Sequence, residues 1–242
     1  MTDEHLAQLP AFQQLDYLAV VTPSVTDDGL QHIAGLTNLD TLFLSDSGLT
    51  DKAMPALQGL AKLERLYLDR TRVTDQGLAS IAGLDTLTTL SLVTTATTNK
   101  GLEHVSKLEH LEVLFLSDTK VTDDGLKHLA DLFHLKSLYL DDVDLSGDGL
   151  KHLTKLKELE VLSLRRTPVT PPSLAALEAC GKLRELLLVG TDLTAQNVAE
   201  LQKKLPKLDI RISPSPDRQK NAFERLLAGE TLRGPAADAA VD

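Results

Sequence analysis

The chain repeats itself every 24 residues. From Phe12 onward, eight consecutive blocks of this length follow one another with no insertion or deletion. Two of them read LAKLERLYLDRTRVTDQGLASIAG (60–83) and LEHLEVLFLSDTKVTDDGLKHLAD (108–131). A fixed short period predicts a stack of similar units, none of which can bury its apolar side alone. We therefore number each block from position 1 to position 24 and expect one elongated solenoid.

Each block carries two different apolar spacings. Positions 1, 4, 7 and 9 are apolar, and the alternation at positions 7 and 9 is typical of a half-buried strand. Positions 19 and 22 are apolar at the spacing of one helix face. A Thr or Ser at position 15 would cap that helix, and a recurrent Gly at position 18 indicates a neighbouring coil too close for a Cβ. Each block is predicted to form strand, turn, capped helix and turn.

The pattern LxxLxxLxLxxT.VTDxGLxxLxx resembles the leucine-rich repeat family. The resemblance implies an α/β fold, a right-handed solenoid or horseshoe with a concave parallel sheet and convex helices. The TDxGLxxL half most resembles the cysteine-containing subtype of F-box-type ubiquitin-ligase receptors and similar bacterial repeat proteins. The family usually has Asn or Cys at position 12, whereas this chain has Thr or Ser in six blocks. Pro23 and Val143 occupy the other two, and we expect looser turns there.

The repeat also divides the chain. The predicted solenoid spans residues 1–212, made of a partial repeat (1–11), eight repeats (12–203) and a terminal strand (204–212). Residues 213–242 are rich in Pro, Ser and Ala and are predicted to be mostly disordered. A short helix near 218–228 that folds back over the last coil, a free linear motif and an idle tail are the three interpretations of this segment.

Composition limits the partners. The net charge of −10 argues against nucleic acid and against an anionic membrane, since both favour a basic surface. The start lacks the regions of a signal peptide and no apolar run approaches the length of a membrane span, so we predict a cytoplasmic protein. Cys180 stands at a core leucine position and is expected to be buried. No catalytic, cofactor or metal motif is recognised, so we predict no enzyme, no cofactor and no metal.

One column of aromatic residues stands out. Side chains beside the LxL leucines should point out of the concave sheet, and position 8 holds Phe43, Tyr67, Phe115 and Tyr139, with Tyr17 nearby at position 6. They could anchor a partner. They could instead stabilise adjacent strands by ladder packing. The order Phe-Tyr-Ser occurs twice in this column, 72 residues apart, which indicates duplication of a three-repeat unit.

Charges of both signs lie beside the aromatic column. The charged residues predicted to contact a partner are Arg70, Asp118, Asp141, Asp142, Arg165 and Arg166. An aromatic stripe flanked by such charges suits a protein or peptide, with the charges setting orientation and association rate. The leading prediction is therefore a monomeric interaction scaffold that binds on its concave face. The alternatives are a substrate-recognition module of a ubiquitin-ligase-like or effector system, and a structural repeat segment of a larger protein.

Overall fold

In the computed structural model, which describes residues 1–212, nine short strands form one parallel sheet. They are β1 (Tyr17–Ala19), β2 (Thr41–Phe43), β3 (Arg65–Tyr67), β4 (Thr89–Ser91), β5 (Val113–Phe115), β6 (Ser137–Tyr139), β7 (Val161–Ser163), β8 (Glu185–Leu187) and β9 (Asp209–Arg211). The strands lie in chain order, and each pairs with the next so that Leu18 is beside Leu42 and Leu42 beside Leu66. The sheet therefore repeats with the period of the sequence.

The other side of each coil is helical, but the helix type varies. The α-helices are α1 (Asp3–Leu6), α2 (Asp27–Leu30), α3 (Asp75–Ile81), α4 (Asn99–Val105), α5 (Pro171–Leu174) and α6 (Ala195–Lys204). The 3₁₀ segments are Leu9–Ala11, Gln31–Ile33, Asp51–Leu57, Asp123–Leu129, Asp148–Lys155 and Ala175–Ala179. Apolar residues three apart also share one face of a 3₁₀-helix. The spacing at positions 19 and 22 therefore predicted a helix without selecting its type.

The core is a continuous column of leucines between sheet and helices. Leu66 and Leu68 of the third coil are fully buried, and so is Leu6 of the first half-repeat. The same cluster extends to Leu208 beside the last strand. Full burial of one such side chain stabilises the fold by about 1.5–3 kcal/mol, so the coils are held together mainly by this column.

A ladder of acidic residues joins successive coils. Asp51, at position 16, accepts hydrogen bonds from the backbone N–H of Thr74 (2.7 Å), the Thr74 hydroxyl (2.7 Å) and the Gly77 N–H (3.0 Å). A Cβ added to Gly77 would lie 2.5 Å from Asp51 Oδ1. The predicted close approach at position 18 is confirmed, and at Gly77 the approaching group is the carboxylate of the preceding coil. Equivalent rungs join Asp3 to Thr26, Asp27 to Thr50, Asp75 to Thr98, Asn99 to Thr122 and Asp123 to Ser146.

The ladder ends after Ser146. Position 16 is Gly147 in the sixth repeat and Pro171 in the seventh, and neither residue has a side chain that can accept a hydrogen bond. The Thr170 N–H instead bonds to Ser173 Oγ (3.2 Å), and the Thr194 N–H bonds to Asn197 Oδ1 (3.0 Å). The last coils therefore cap their own helices instead of relying on the preceding coil.

The strands β2 to β8 are each followed by a residue with a left-handed backbone conformation at position 11. The φ angles lie between 52° and 59° at Asp46, Arg70, Thr94, Asp118, Asp142 and Arg166, and φ is 76° at Gly190. The next residue, at position 12, then turns its hydroxyl inward, as Thr71 does to the Leu68 carbonyl oxygen (2.6 Å). Because Asp142 keeps the common conformation before Val143, the looser turn expected there is not seen. At Pro23 the turn does differ, since the preceding Thr22 has no positive φ.

Candidate functional site

The aromatic column is largely buried. Phe43, Tyr67 and Phe115 are only 4%, 1% and 2% exposed, so the prediction of an exposed aromatic stripe is wrong for these three residues. Tyr139 is half-buried, and Tyr17 is 52% exposed at the end of the sheet. The reason is the strand spacing of about 4.8 Å, which brings rings on successive strands into contact so that each covers its neighbours.

The ring geometry is that of stacked ladders. Phe43 and Tyr67 stack with centroids 4.1 Å apart and planes 3° from parallel, and Phe115 and Tyr139 stack at 4.5 Å and 14°. Tyr17 meets Phe43 at 5.6 Å with a tilt of 49°. The ladder interpretation of this column therefore describes the packing observed. Burial raises the pKa of the Tyr67 phenol to about 12.

A buried carboxylate lies beside the first ladder. Asp69, at position 10 of the third coil, is fully buried. It accepts hydrogen bonds from the Ser91 hydroxyl, from the Val93 N–H (2.8 Å) and from Ser45 Oγ (3.3 Å). Burial raises the pKa of Asp69 to about 6, and these donors only partly offset the loss of hydration. The concave face thus holds a small second core with a polar edge.

The same arrangement occurs 72 residues later in a more open form. Asp141 accepts hydrogen bonds from the Ser163 hydroxyl and from the Arg165 N–H (2.9 Å), as Asp69 does from Ser91 and Val93. Burial raises the pKa of Asp141 as well, although Asp141 is half-buried whereas Asp69 is fully buried. Arg165 stands where the first copy has Val93. Among residues 1–212, its Nε is the buried side-chain polar atom that has no hydrogen-bond partner.

The exposed charges of the rim form ion pairs along position 11. Arg70 bonds to Asp46 through both Nε and Nη2, each at 2.5 Å, and this contact lowers the pKa of Asp46. Arg166 bonds to Asp142 in the same two-point manner, which raises the pKa of the Arg166 guanidinium. Bidentate geometry fixes the orientation of both groups. Asp118 lies exposed on the coil before the second pair.

The structure thus separates the predicted residues into three groups. Phe43, Tyr67 and Phe115 are covered, Tyr17 lies at one end, and the rest line the concave rim of the third to seventh coils. The burial of Asp69, and its hydrogen bonds to the coils on both sides, were not predicted from the sequence. The available signal was the pair of acids, Asp69 and Asp141, each with a serine 22 residues downstream inside the duplicated unit.

The single cysteine of the chain lies inside the solenoid. Cys180 is buried as predicted, and burial raises the pKa of its thiol, so it lies in an apolar setting away from solvent. Within residues 1–212 no group of three or more His, Cys, Asp or Glu side chains could hold a metal ion. No helix in that range is both long enough and apolar enough for a membrane span.

Solved structures that resemble this chain include two internalins. A crystal structure of internalin C2 from Listeria monocytogenes superposes with a TM-score of 0.57 at 24% sequence identity, over 78% of this chain and 84% of the internalin chain. A second internalin from the same species gives a TM-score of 0.41 at 17% identity, over 88% of this chain and 83% of the internalin chain. No family model matches the chain, and no curated protein matches it.

The nine-stranded parallel sheet, the helical outer layer and the likeness to internalin C2 define the fold as a leucine-rich-repeat solenoid. The predicted fold class is confirmed. At this level of identity the likeness concerns the fold, and the cysteine-containing subtype stays a prediction.

Proposed function

We propose that the protein is a non-enzymatic scaffold that binds a protein or peptide along the rim of its concave face. The observation that carries this proposal is the row of exposed charges at position 11. Asp46, Arg70, Asp118, Asp142 and Arg166 share one left-handed backbone conformation on nearby coils. A fixed array of charges of both signs favours one orientation of a charged partner and rejects others.

The predicted contact residues take different roles in this proposal. The stacked rings of Phe43, Tyr67 and Phe115 hold the strands rigid instead of touching the partner. Tyr139 and Arg165 are only partly buried, so the exposed parts of their side chains can contact a partner on this face.

Exchanging the two residues of one ion pair changes the charge order of the rim while keeping the ion pair. Exchanging Asp142 and Arg166 (Asp142→Arg with Arg166→Asp) keeps net charge and the pair, and places residue types that position 11 already accepts in the left-handed conformation. The swap inverts the order of the charges along the rim. We expect proteins captured from a lysate of the source cells by the wild type to be lost by this variant.

The matched control is a swap on the outer layer. Glu178 and Lys204 pair across two coils at 2.8 Å, and exchanging them leaves the concave rim untouched. Retained capture by this control and lost capture by the rim swap would support the proposal. If the rim swap captures the same proteins as the wild type, with circular dichroism showing all three folded, the concave rim is not the binding surface.

The other interpretations stay predictions. A substrate-recognition role in a ubiquitin-ligase-like system has its support in the TDxGLxxL resemblance, and capture of adaptor components would favour it. A structural role in a larger protein would be supported by detection of the chain outside the cell. The cytoplasmic location and the avoidance of nucleic acid and membranes rest on the sequence arguments alone.

A further inference from the structure

Two histidines of neighbouring coils meet at the edge of the solenoid where the chain enters the sheet. His110 and His134 occupy position 3 of the fifth and sixth repeats, three residues before β5 and β6. Both side chains are exposed, and their rings stack with centroids 5.8 Å apart and planes 28° from parallel. The charged rim follows the strands, whereas this pair precedes them, so the two features lie on different edges of the sheet.

The repeat itself brings the two rings together. In both coils the N–H at position 4 donates to the carbonyl oxygen at position 1 at 3.0 Å, so the backbone makes the same turn at each histidine. The following strands pair in register at a spacing of about 4.8 Å. Other neighbours in this column also touch, since Lys62 Nζ lies 2.7 Å from Asn38 Oδ1. Contact between successive coils is therefore a regular property of position 3.

The distance between the rings suits a shared metal ion. A Zn–N bond is about 2.0–2.1 Å long, so two imidazoles on one tetrahedral Zn²⁺ have centroids about 5 Å apart. The centroids of His110 and His134 are 5.8 Å apart, and both side chains are exposed, so small rotations can turn one nitrogen of each ring toward the same ion. The two ligands are separated by 24 residues, which explains why no metal motif is recognised in the sequence.

The next side chain in the column is already engaged. Glu158, at position 3 of the seventh repeat, accepts hydrogen bonds from Lys182 Nζ at both carboxylate oxygens (2.8 and 2.6 Å). The ligands from the protein are therefore the two imidazoles, and water completes the coordination. This count agrees with the absence of a three-ligand group from residues 1–212.

We propose that His110 and His134 together bind one divalent transition-metal ion, such as Zn²⁺, and thereby link the fifth and sixth coils. Imidazole nitrogen binds zinc, nickel and copper, whereas magnesium and calcium take oxygen ligands. The site does not depend on the binding of a partner at the concave rim.

A second pair of histidines provides a matched control. His104 and His128 also lie on neighbouring coils, but on the helical side, where His128 Nε2 lies 3.7 Å from Glu103 Oε1. The test variant is His110→Gln with His134→Gln, and the control is His104→Gln with His128→Gln. Both variants lose two imidazoles and keep the net charge.

Isothermal titration calorimetry of the untagged full chain with ZnCl₂ measures the affinity and the number of sites, and circular dichroism confirms that the variants are folded. A parallel titration with MgCl₂ measures the general attraction of divalent cations to a chain of net charge −10. Urea denaturation with and without Zn²⁺ measures the linkage between binding and stability.

The wild type and the control should each bind one Zn²⁺ at this site, and the test variant should lose affinity by about 100-fold, because the second imidazole contact is intramolecular. Zn²⁺ should raise the urea midpoint of the wild type and leave that of the test variant unchanged. The proposal is overturned if the wild type does not bind Zn²⁺, if the test variant binds it as tightly as the wild type, if the control loses the same affinity, or if Mg²⁺ binds as tightly as Zn²⁺.

Discussion

At the residue scale, the least expected feature is the left-handed conformation at position 11. It is imposed by the need to leave a strand of three residues and turn at once into the outer layer. Asp at this position tolerates the conformation, whereas a β-branched residue does so at a cost. Among the position-11 residues with a positive φ, Thr94 is the β-branched one, and it is exposed.

Replacing Thr94 with Asn should therefore stabilise the protein by about 0.5–1 kcal/mol, since Asn enters the left-handed region more readily. Urea denaturation of the variant measures the change. The control is Thr22→Asn, at the one position 11 among the eight repeats without a positive φ, where no gain is expected. A gain of equal size at both positions would contradict the explanation.

Asp69 makes stability depend on pH in the direction opposite to most carboxylates. Its folded-state pKa of about 6 lies above the ordinary aspartate value of 3.8, so folding favours the protonated form. Stability at this site is therefore full below pH 4, falls as pH rises through 6, and stays reduced above it. The separation of the two pKa values corresponds to about 3 kcal/mol.

The variant Asp69→Asn should lose this dependence, so that its stability relative to wild type improves between pH 4 and pH 7. Denaturation curves at both pH values measure the difference. Asp118→Asn, which removes the same charge from an exposed position, should show no comparable change. An identical pH profile for wild type and Asp69→Asn would show that Asp69 does not carry the effect.

At the element scale, much of the fold could be predicted from the sequence, because strand, helix and core positions recur with the same period. The type of helix could not, since a spacing of three fits both forms. The burial of the aromatic column could not either. Alternation places Phe43 and Tyr67 on the concave face, but whether rings stacked there remain accessible depends on strand spacing and on neighbours such as Asp69. Those contacts join residues about 24 positions apart.

The ladder interpretation predicts that Phe115→Ala destabilises the fold by about 3–5 kcal/mol, as large-to-small changes do in a core. Tyr17→Ala, which removes a ring that is 52% exposed, should cost far less. Chemical denaturation of both variants measures this. Equal and small losses would mean that the rings are accessible surface groups after all.

The hydrogen bonds of Asp51 are expected to fix the position of the next coil against its own. Gly77→Ala should destabilise the protein by about 2 kcal/mol or more, because the new Cβ meets Asp51 Oδ1 at 2.5 Å and outweighs the helix propensity of Ala. Gly83→Ala, which meets nothing within 4 Å, should be neutral or stabilising. In the double variant Asp51→Ala with Gly77→Ala, the loss of stability should be smaller than the sum of the losses in the two single variants. Strictly additive losses would contradict the contact between Asp51 and position 77.

At the scale of the whole molecule, the repeat gives two surfaces with different organisation. The concave rim changes sign along its length, from the Asp46–Arg70 pair through Asp118 to the Asp142–Arg166 pair. The outer layer carries ion pairs such as Glu178–Lys204. Of the aromatic stripe and flanking charges predicted for the concave face, Phe43, Tyr67 and Phe115 are buried, whereas the charges at position 11 are exposed.

Hydrogen exchange of the full chain, measured with and without a captured partner, tests the concave-rim account most directly. Binding along the rim predicts slower exchange in the turns that follow β2, β3, β5, β6 and β7, with helices α3 and α4 unchanged. Protection confined to the helices, or to residues 1–21, would contradict the central claim and place the binding surface elsewhere.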